Sequence, residues 1–82
     1  MNSDQVRAVV RRAWEDALSA EVDDSANFFA IGGHSFMAIK IIALLDAALP
    51  VPIPMMDLFD HPVLTDFADT VAARINRSAV AD

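Results

Sequence analysis

The stretch Phe28-Phe29-Ala30-Ile31-Gly32-Gly33-His34-Ser35-Phe36-Met37-Ala38 decides how this chain is read. It starts as an apolar loop and passes through two adjacent glycines to a serine. It then runs on as Ile39-Lys40-Ile41-Ile42-Ala43-Leu44-Leu45, with no proline or glycine to interrupt a helix. Gly32 and Gly33 give access to backbone conformations closed to other residues, so the chain can turn sharply just before Ser35. Ser35 is therefore the expected N-cap of a helix, with its hydroxyl at solvent. A phosphate is favoured at such a place, because free backbone N–H groups and the positive end of the helix dipole face it.

Upstream of this stretch, Val6, Val9, Val10, Ala13, Trp14, Ala17 and Leu18 recur every three or four residues. That spacing predicts a first helix of about four turns with one apolar stripe, Trp14 in the core, and Ser3 or Asp4 as cap. From Ser19 to His34 no helical pattern is sustained. A loop of that length must carry function or be pinned by its own side chains, and Val22, Phe28, Phe29 and Ile31 are the candidates, with at least one phenylalanine plugging the space between helices.

Downstream, the helix from Ser35 to about Leu49 is expected to turn Ala38, Ile41, Ile42, Leu45 and Leu49 inward, leaving Phe36, Ile39, Lys40 and Ala43 outside or at the margin. Pro50-Val51-Pro52-Ile53-Pro54 breaks it. Met55 to Phe59 allows one short helical turn with Met56 or Phe59 inward. Pro62 suits a new start, and Leu64, Phe67, Ala68, Val71, Ala72 and Ile75 form the stripe of a last helix. The expected architecture is all-α: a four-helix bundle with a long loop between helices 1 and 2 and a short third helix. It is one domain over 1–82, structured from about 4 to 77, with Ser78 to Asp82 frayed.

The 82 residues include no cysteine, so disulfides and protein thiolates are excluded. The net charge of -6 is unevenly spread. Five arginines, Arg7, Arg11, Arg12, Arg74 and Arg77, lie near the ends, while residues 13–73 hold ten acidic residues against one base, Lys40. Such a surface repels nucleic acid and anionic membranes and suits basic partner proteins. Most of these charges are accounted for as solvated helix faces and turns. The N-terminus has no basic region followed by an apolar run, and the longest apolar run, Ile41 to Leu45, is too short to span a bilayer. A cytoplasmic location is expected.

Phe28-Phe29-x-x-Gly32-Gly33-His34-Ser35-x-x-Ala38 resembles the phosphopantetheine attachment motif of peptidyl carrier proteins, the thiolation domains of non-ribosomal peptide synthesis. The similarity continues through Pro54-Met55-x-x-Leu58-Phe59-x-x-Pro62 to Phe67-Ala68, and covers roughly residues 6 to 77. It implies that a phosphopantetheinyl transferase modifies Ser35 with phosphopantetheine from coenzyme A, with Gly32, Gly33 and His34 as the flanking motif, and that the cofactor thiol then carries an aminoacyl or peptidyl thioester. It implies an adenylation enzyme as loading partner, and condensation, thioesterase or tailoring enzymes downstream. The domain would be a monomeric shuttle and not itself an enzyme. Two departures stand out: Val63 replaces a threonine common in the family, leaving Asp60 or Thr65 to cap the last helix, and the helix after Ser35 is more apolar than usual. Exposed Phe36 and Ile39 beside the attachment serine would form the centre of a partner-docking surface, rimmed by Lys40 and the acidic loop.

Other chemistries fit less well. Gly33-His34-Ser35-Phe36-Met37 begins like a hydrolase nucleophile elbow, but Met37 replaces the second glycine, no strand precedes the turn, and adjacent His and Ser do not make the geometry of a triad. His34 and His61 show no metal-ligand spacing, so no metal is expected. For His34 two readings stand, a solvent-exposed loop residue or a role near an attached phosphate. His61, before Pro62, reads as a turn residue. An acyl carrier of fatty-acid or polyketide synthesis shares the serine but more often has Asp before it. A plain helical interaction module would carry no modification. Ser35 is expected to be the only attachment site, since Ser3, Ser19, Ser25 and Ser78 lack its glycine turn and helix start. Met1 stands close to the first helix and the chain ends soon after the last, which leads to the expectation of a stand-alone carrier.

Overall fold

A computed structural model describes residues 1–80, with helices α1 (Ser3–Leu18), α2 (Ser35–Ala48), α3 (Met55–Asp60) and α4 (Leu64–Val80) in chain order. α1 lies between α2 and α4, and α3 touches α2 and α4. The apolar stripe read from α1 is the face it buries: Val6, Val10, Ala13, Trp14 and Ala17 are inside, with Val9 and Leu18 at the margin. All six expected residues of the α4 stripe, from Leu64 to Ile75, are buried. Trp14 is fully enclosed, edge-on to Phe28 at 5.7 Å between ring centroids and tilted against Phe67 at 6.2 Å. Three aromatics thus join α1, the long loop and α4 at one point, each burying far more apolar area than an aliphatic side chain.

The helix ends differ from the sequence expectation. The cap of α1 is Asn2, not Ser3 or Asp4. Its side-chain oxygen accepts the Gln5 N–H at 2.8 Å, and Gln5 Oε1 accepts the Asn2 N–H at 2.9 Å. This reciprocal pair satisfies two groups at once and starts the helix one residue earlier. At α4 neither Asp60 nor Thr65 supplies a side-chain cap among the described residues. Loop carbonyls do so instead: Leu64 N–H donates to Ala26 O at 2.9 Å and Thr65 N–H to Asp24 O at 3.2 Å. α4 continues to Val80, past the expected end at 77; Ala81 and Asp82 of the expected frayed tail lie outside the described residues.

In α3 the fully buried residue is Leu58, while Phe59 is half-buried against the core and Met56 is 61% exposed. A helix of six residues presents little more than one turn inward, and here that turn is Asp57-Leu58. The nearly buried Asp57 carboxylate accepts both Nε and Nη2 of Arg74. That hydrogen bond, with the Asp57 charge, raises the Arg74 pKa above its ordinary value despite some opposing desolvation, so this tie between α3 and α4 keeps its cation. No described helix is long and apolar enough to cross a membrane.

Candidate functional site

The loop between α1 and α2 is fastened to the bundle before it reaches Ser35. Glu15 accepts the Val22 N–H at 3.0 Å, Arg11 pairs with Asp24, and Phe28 sits fully buried on Trp14. Asn27 and Val63 form an isolated antiparallel bridge, and Phe28 N–H donates to Pro62 O at 2.7 Å. Of the four residues expected to pin the loop, Val22 and Phe28 do so. Phe29 and Ile31 are 48% and 42% exposed. Phe28 already fills the inner space, and the Phe29 ring lies edge-on against it, with centroids 5.4 Å apart. Phe29 also stacks on Phe59 of α3, with centroids 6.0 Å apart and planes 17° from parallel.

The two glycines serve different ends. Gly32 has φ +95°, a left-handed conformation that side chains resist, with open space around its Cβ position. Gly33 is crowded: an added Cβ would lie 2.5 Å from both the Phe28 ring and the Phe28 carbonyl oxygen. Its N–H donates to that same carbonyl at 2.8 Å. Only a residue without a side chain lets the loop close this tightly onto its buried anchor.

Backbone accounting marks the site. Every amide from Phe28 to Gly33 has a protein acceptor: Pro62 O, Asn27 Oδ1 twice, Asn27 O, Phe29 O and Phe28 O in turn. The amides of His34, Ser35, Phe36 and Met37 have none among the described residues, and the ladder resumes with Ala38 N–H to His34 O at 3.0 Å. Such groups at a helix start are satisfied by solvent or by an anion. His34, extended at φ -148° and ψ 177°, is the N-cap, and its side chain makes no capping bond. Ser35 is thus the first residue of α2 rather than its N-cap, because the carbonyl that receives the first helical bond belongs to His34. Ser35 and His34 are both exposed. α1, α3 and α4 each carry an acidic residue in the first turn, Asp4, Asp57 and Asp66, whereas α2 carries none. No fixed carboxylate in that turn opposes a phosphate on Ser35.

The outward residues of α2 lie where the sequence places them. Phe36 is 72% and Ile39 56% exposed, and Lys40 and Ala43 are exposed beside them, while Ala38, Ile41, Leu45 and Leu49 are buried and Ile42 is half-buried. Among the described residues no group of three or more His, Asp or Glu side chains is arranged to hold a metal ion. Sequence reasoning missed Asn27, whose side chain organises the turn. An asparagine opening a tight turn is the local signal that could have revealed it.

The fold is similar to that of BlmI, a type-II acyl carrier protein from Streptomyces verticillus involved in bleomycin biosynthesis, with a TM-score of 0.83 at 22% identity over 89% of each chain. It is also similar to a structure described as a non-ribosomal PCP domain, with a TM-score of 0.71 at 27% identity, covering 79% of this chain and 84% of that one. The class is therefore the four-helix carrier fold. The family described as "Phosphopantetheine attachment site" matches residues 8–71, and the chain belongs to it. In sequence the chain is 40% identical over 68 residues to cyclosporin synthetase of Tolypocladium inflatum, a match covering 83% of this chain and 0% of that protein to the nearest percent. It is 45% identical over 56 residues to phosphinothricin tripeptide synthetase PhsB of Streptomyces viridochromogenes, covering 67% and 5%. The chain spans only a small fraction of the length of these relatives. Phosphopantetheine is the covalent group of the family, and the start of α2 fits it: an exposed serine, four amides without acceptors among the described residues, and no acid in the first turn.

Proposed function

We propose that this chain is a peptidyl carrier protein in which Ser35 accepts phosphopantetheine from coenzyme A through a phosphopantetheinyl transferase. When attached, the group supplies a thiol on a flexible arm that holds aminoacyl or peptidyl cargo as thioesters for non-ribosomal peptide synthesis. The observation that carries the assignment is the placement of Ser35, exposed at the start of α2 on a loop closed by Gly32 and Gly33. The chain's own residues orient and present. Phe28 anchors the loop, the glycines aim it, and the free amides and dipole of α2 favour the phosphate. In this reading the transferase supplies the base for the transfer, and the chain acts as a covalent substrate shuttle.

Phe36 and Ile39 form the apolar centre of a docking surface, with Lys40 and the acidic residues of the loop at its rim. Their exposure on one face of α2 beside Ser35 supports this reading. The partners are an adenylation enzyme that loads the arm and condensation, thioesterase or tailoring enzymes that receive from it. Binding to each is modest because the carrier must release, and tethering raises the local concentration of cargo in place of diffusion. The domain acts as a monomer in the cytoplasm.

Coexpression with a transferase followed by intact-mass measurement tests the assignment. The wild type gains the mass of phosphopantetheine and Ser35→Ala gains nothing. Modification of Ser35→Ala would move the site elsewhere, and an unmodified wild type would favour a helical interaction module.

A further inference from the structure

Ser35 is reached through a turn that one side chain organises. Asn27 Oδ1 accepts the N–H of Phe29 at 3.0 Å and of Ala30 at 3.1 Å, and the Asn27 carbonyl accepts Ile31 N–H at 3.1 Å. Asn27 therefore receives three of the six amides that precede the open ones. Its own backbone is held on the far side by the bridge to Val63, flanked by the bonds from Phe28 N–H to Pro62 O and from Leu64 N–H to Ala26 O. The residue stands between the start of α4, which fixes it, and the segment 28–33, whose fold it dictates. It does not reach Ser35. Its side chain is half-buried and spends its oxygen entirely on the turn.

We infer that Asn27 is a positioning residue for the reaction at Ser35, an inference that rests on Ser35 being the attachment site. Without the side-chain oxygen, the amides of Phe29 and Ala30 lose their acceptor and turn to water, so the segment leading to Gly32 and Gly33 samples conformations in which Ser35 is presented wrongly. A transferase binds only the formed loop. The apparent affinity falls by the fraction of molecules in which it is formed, and the step after binding is unchanged. If a tenth of the molecules keep the turn, KM rises about tenfold with kcat preserved. An aspartate keeps an oxygen that can accept both amides, so Asn27→Asp should rescue what Asn27→Ala loses.

The test compares the wild type, Asn27→Ala and Asn27→Asp in steady-state modification by a transferase with coenzyme A, and in amide hydrogen exchange of the unmodified proteins. The expected result for Asn27→Ala is a KM raised about tenfold, kcat within about twofold of the wild type, and faster exchange confined to residues 28–33. For Asn27→Asp both readouts return toward the wild type. An unchanged KM in Asn27→Ala would overturn the inference. So would faster exchange spread through α1 and α4, which would make Asn27 a residue of general stability, or an Asn27→Asp as impaired as the alanine variant. If the wild type itself is not modified, the assignment of Ser35 has failed, and the exchange pattern still decides whether Asn27 holds the loop.

Discussion

α1 and α2 begin alike and are finished differently. Each opens with an exposed serine, Ser3 and Ser35, as its first residue, so helix position alone does not single out Ser35. The difference lies around it. α1 closes its own N-terminus with the Asn2–Gln5 capping box and places Asp4 in its first turn. α2 has His34 at the cap with no capping bond, no acid in its first turn, and four amides without protein acceptors among the described residues. The faces differ in the same sense. α1 turns its apolar residues inward and Arg12 and Asp16 to solvent, whereas α2 buries Ala38, Ile41 and Leu45 and still exposes Phe36 and Ile39. α1 satisfies part of its own end through the capping box and keeps large apolar side chains off its outer flank. A helix left open at both holds binding capacity for something outside the chain.

That contrast can be broken by substitution on each helix in turn. The largest effect is expected from Trp14→Ala on the inner face of α1, which removes the ring shared by Phe28 and Phe67 and should cost about 3 to 5 kcal/mol in chemical denaturation. In so small a domain that is a large part of the total stability. A loss below about 1 kcal/mol would mean that the face of α1 is not the core of the fold.

The helix ends give a smaller and sharper comparison. Asn2→Ala should lower stability by about 1 kcal/mol, because it leaves Gln5 N–H without its acceptor. His34→Ala at the equivalent position of α2 should change it by less than about 0.5 kcal/mol, since no capping bond is lost. Equal costs, measured by thermal or urea unfolding, would remove the distinction between a closed and an open N-terminus. The smallest stability effect is expected on the outer face of α2. Phe36→Ala and Ile39→Ser should leave stability within about 0.5 kcal/mol while slowing loading by an adenylation enzyme or transfer to a downstream partner. Lower melting temperatures with unchanged partner kinetics would place these side chains in the core and abolish the docking surface.

The sequence by itself determined the four helices, the buried faces of α1, α2 and α4 and the motif at Ser35, because each is written in local spacing. A stripe repeating every three or four residues is a property of one helix, and two glycines before a serine are legible without knowing what they pack against. Trp14, Leu64 and Phe67 could be placed inside, and Phe36 and Ile39 outside, on that basis alone. What tertiary structure decided were choices between neighbours. Phe28 entered the core and Phe29 stacked on Phe59, Leu58 rather than Met56 turned inward, and Asp57 found Arg74 seventeen residues away. The cap of α4 came from carbonyls of the distant loop, and that loop in turn took its anchor from Pro62 and Val63. Local pattern cannot express these, since a backbone group or ring takes whichever partner the folded chain brings within reach, and that is settled only when α1, α4 and the loop close on one another.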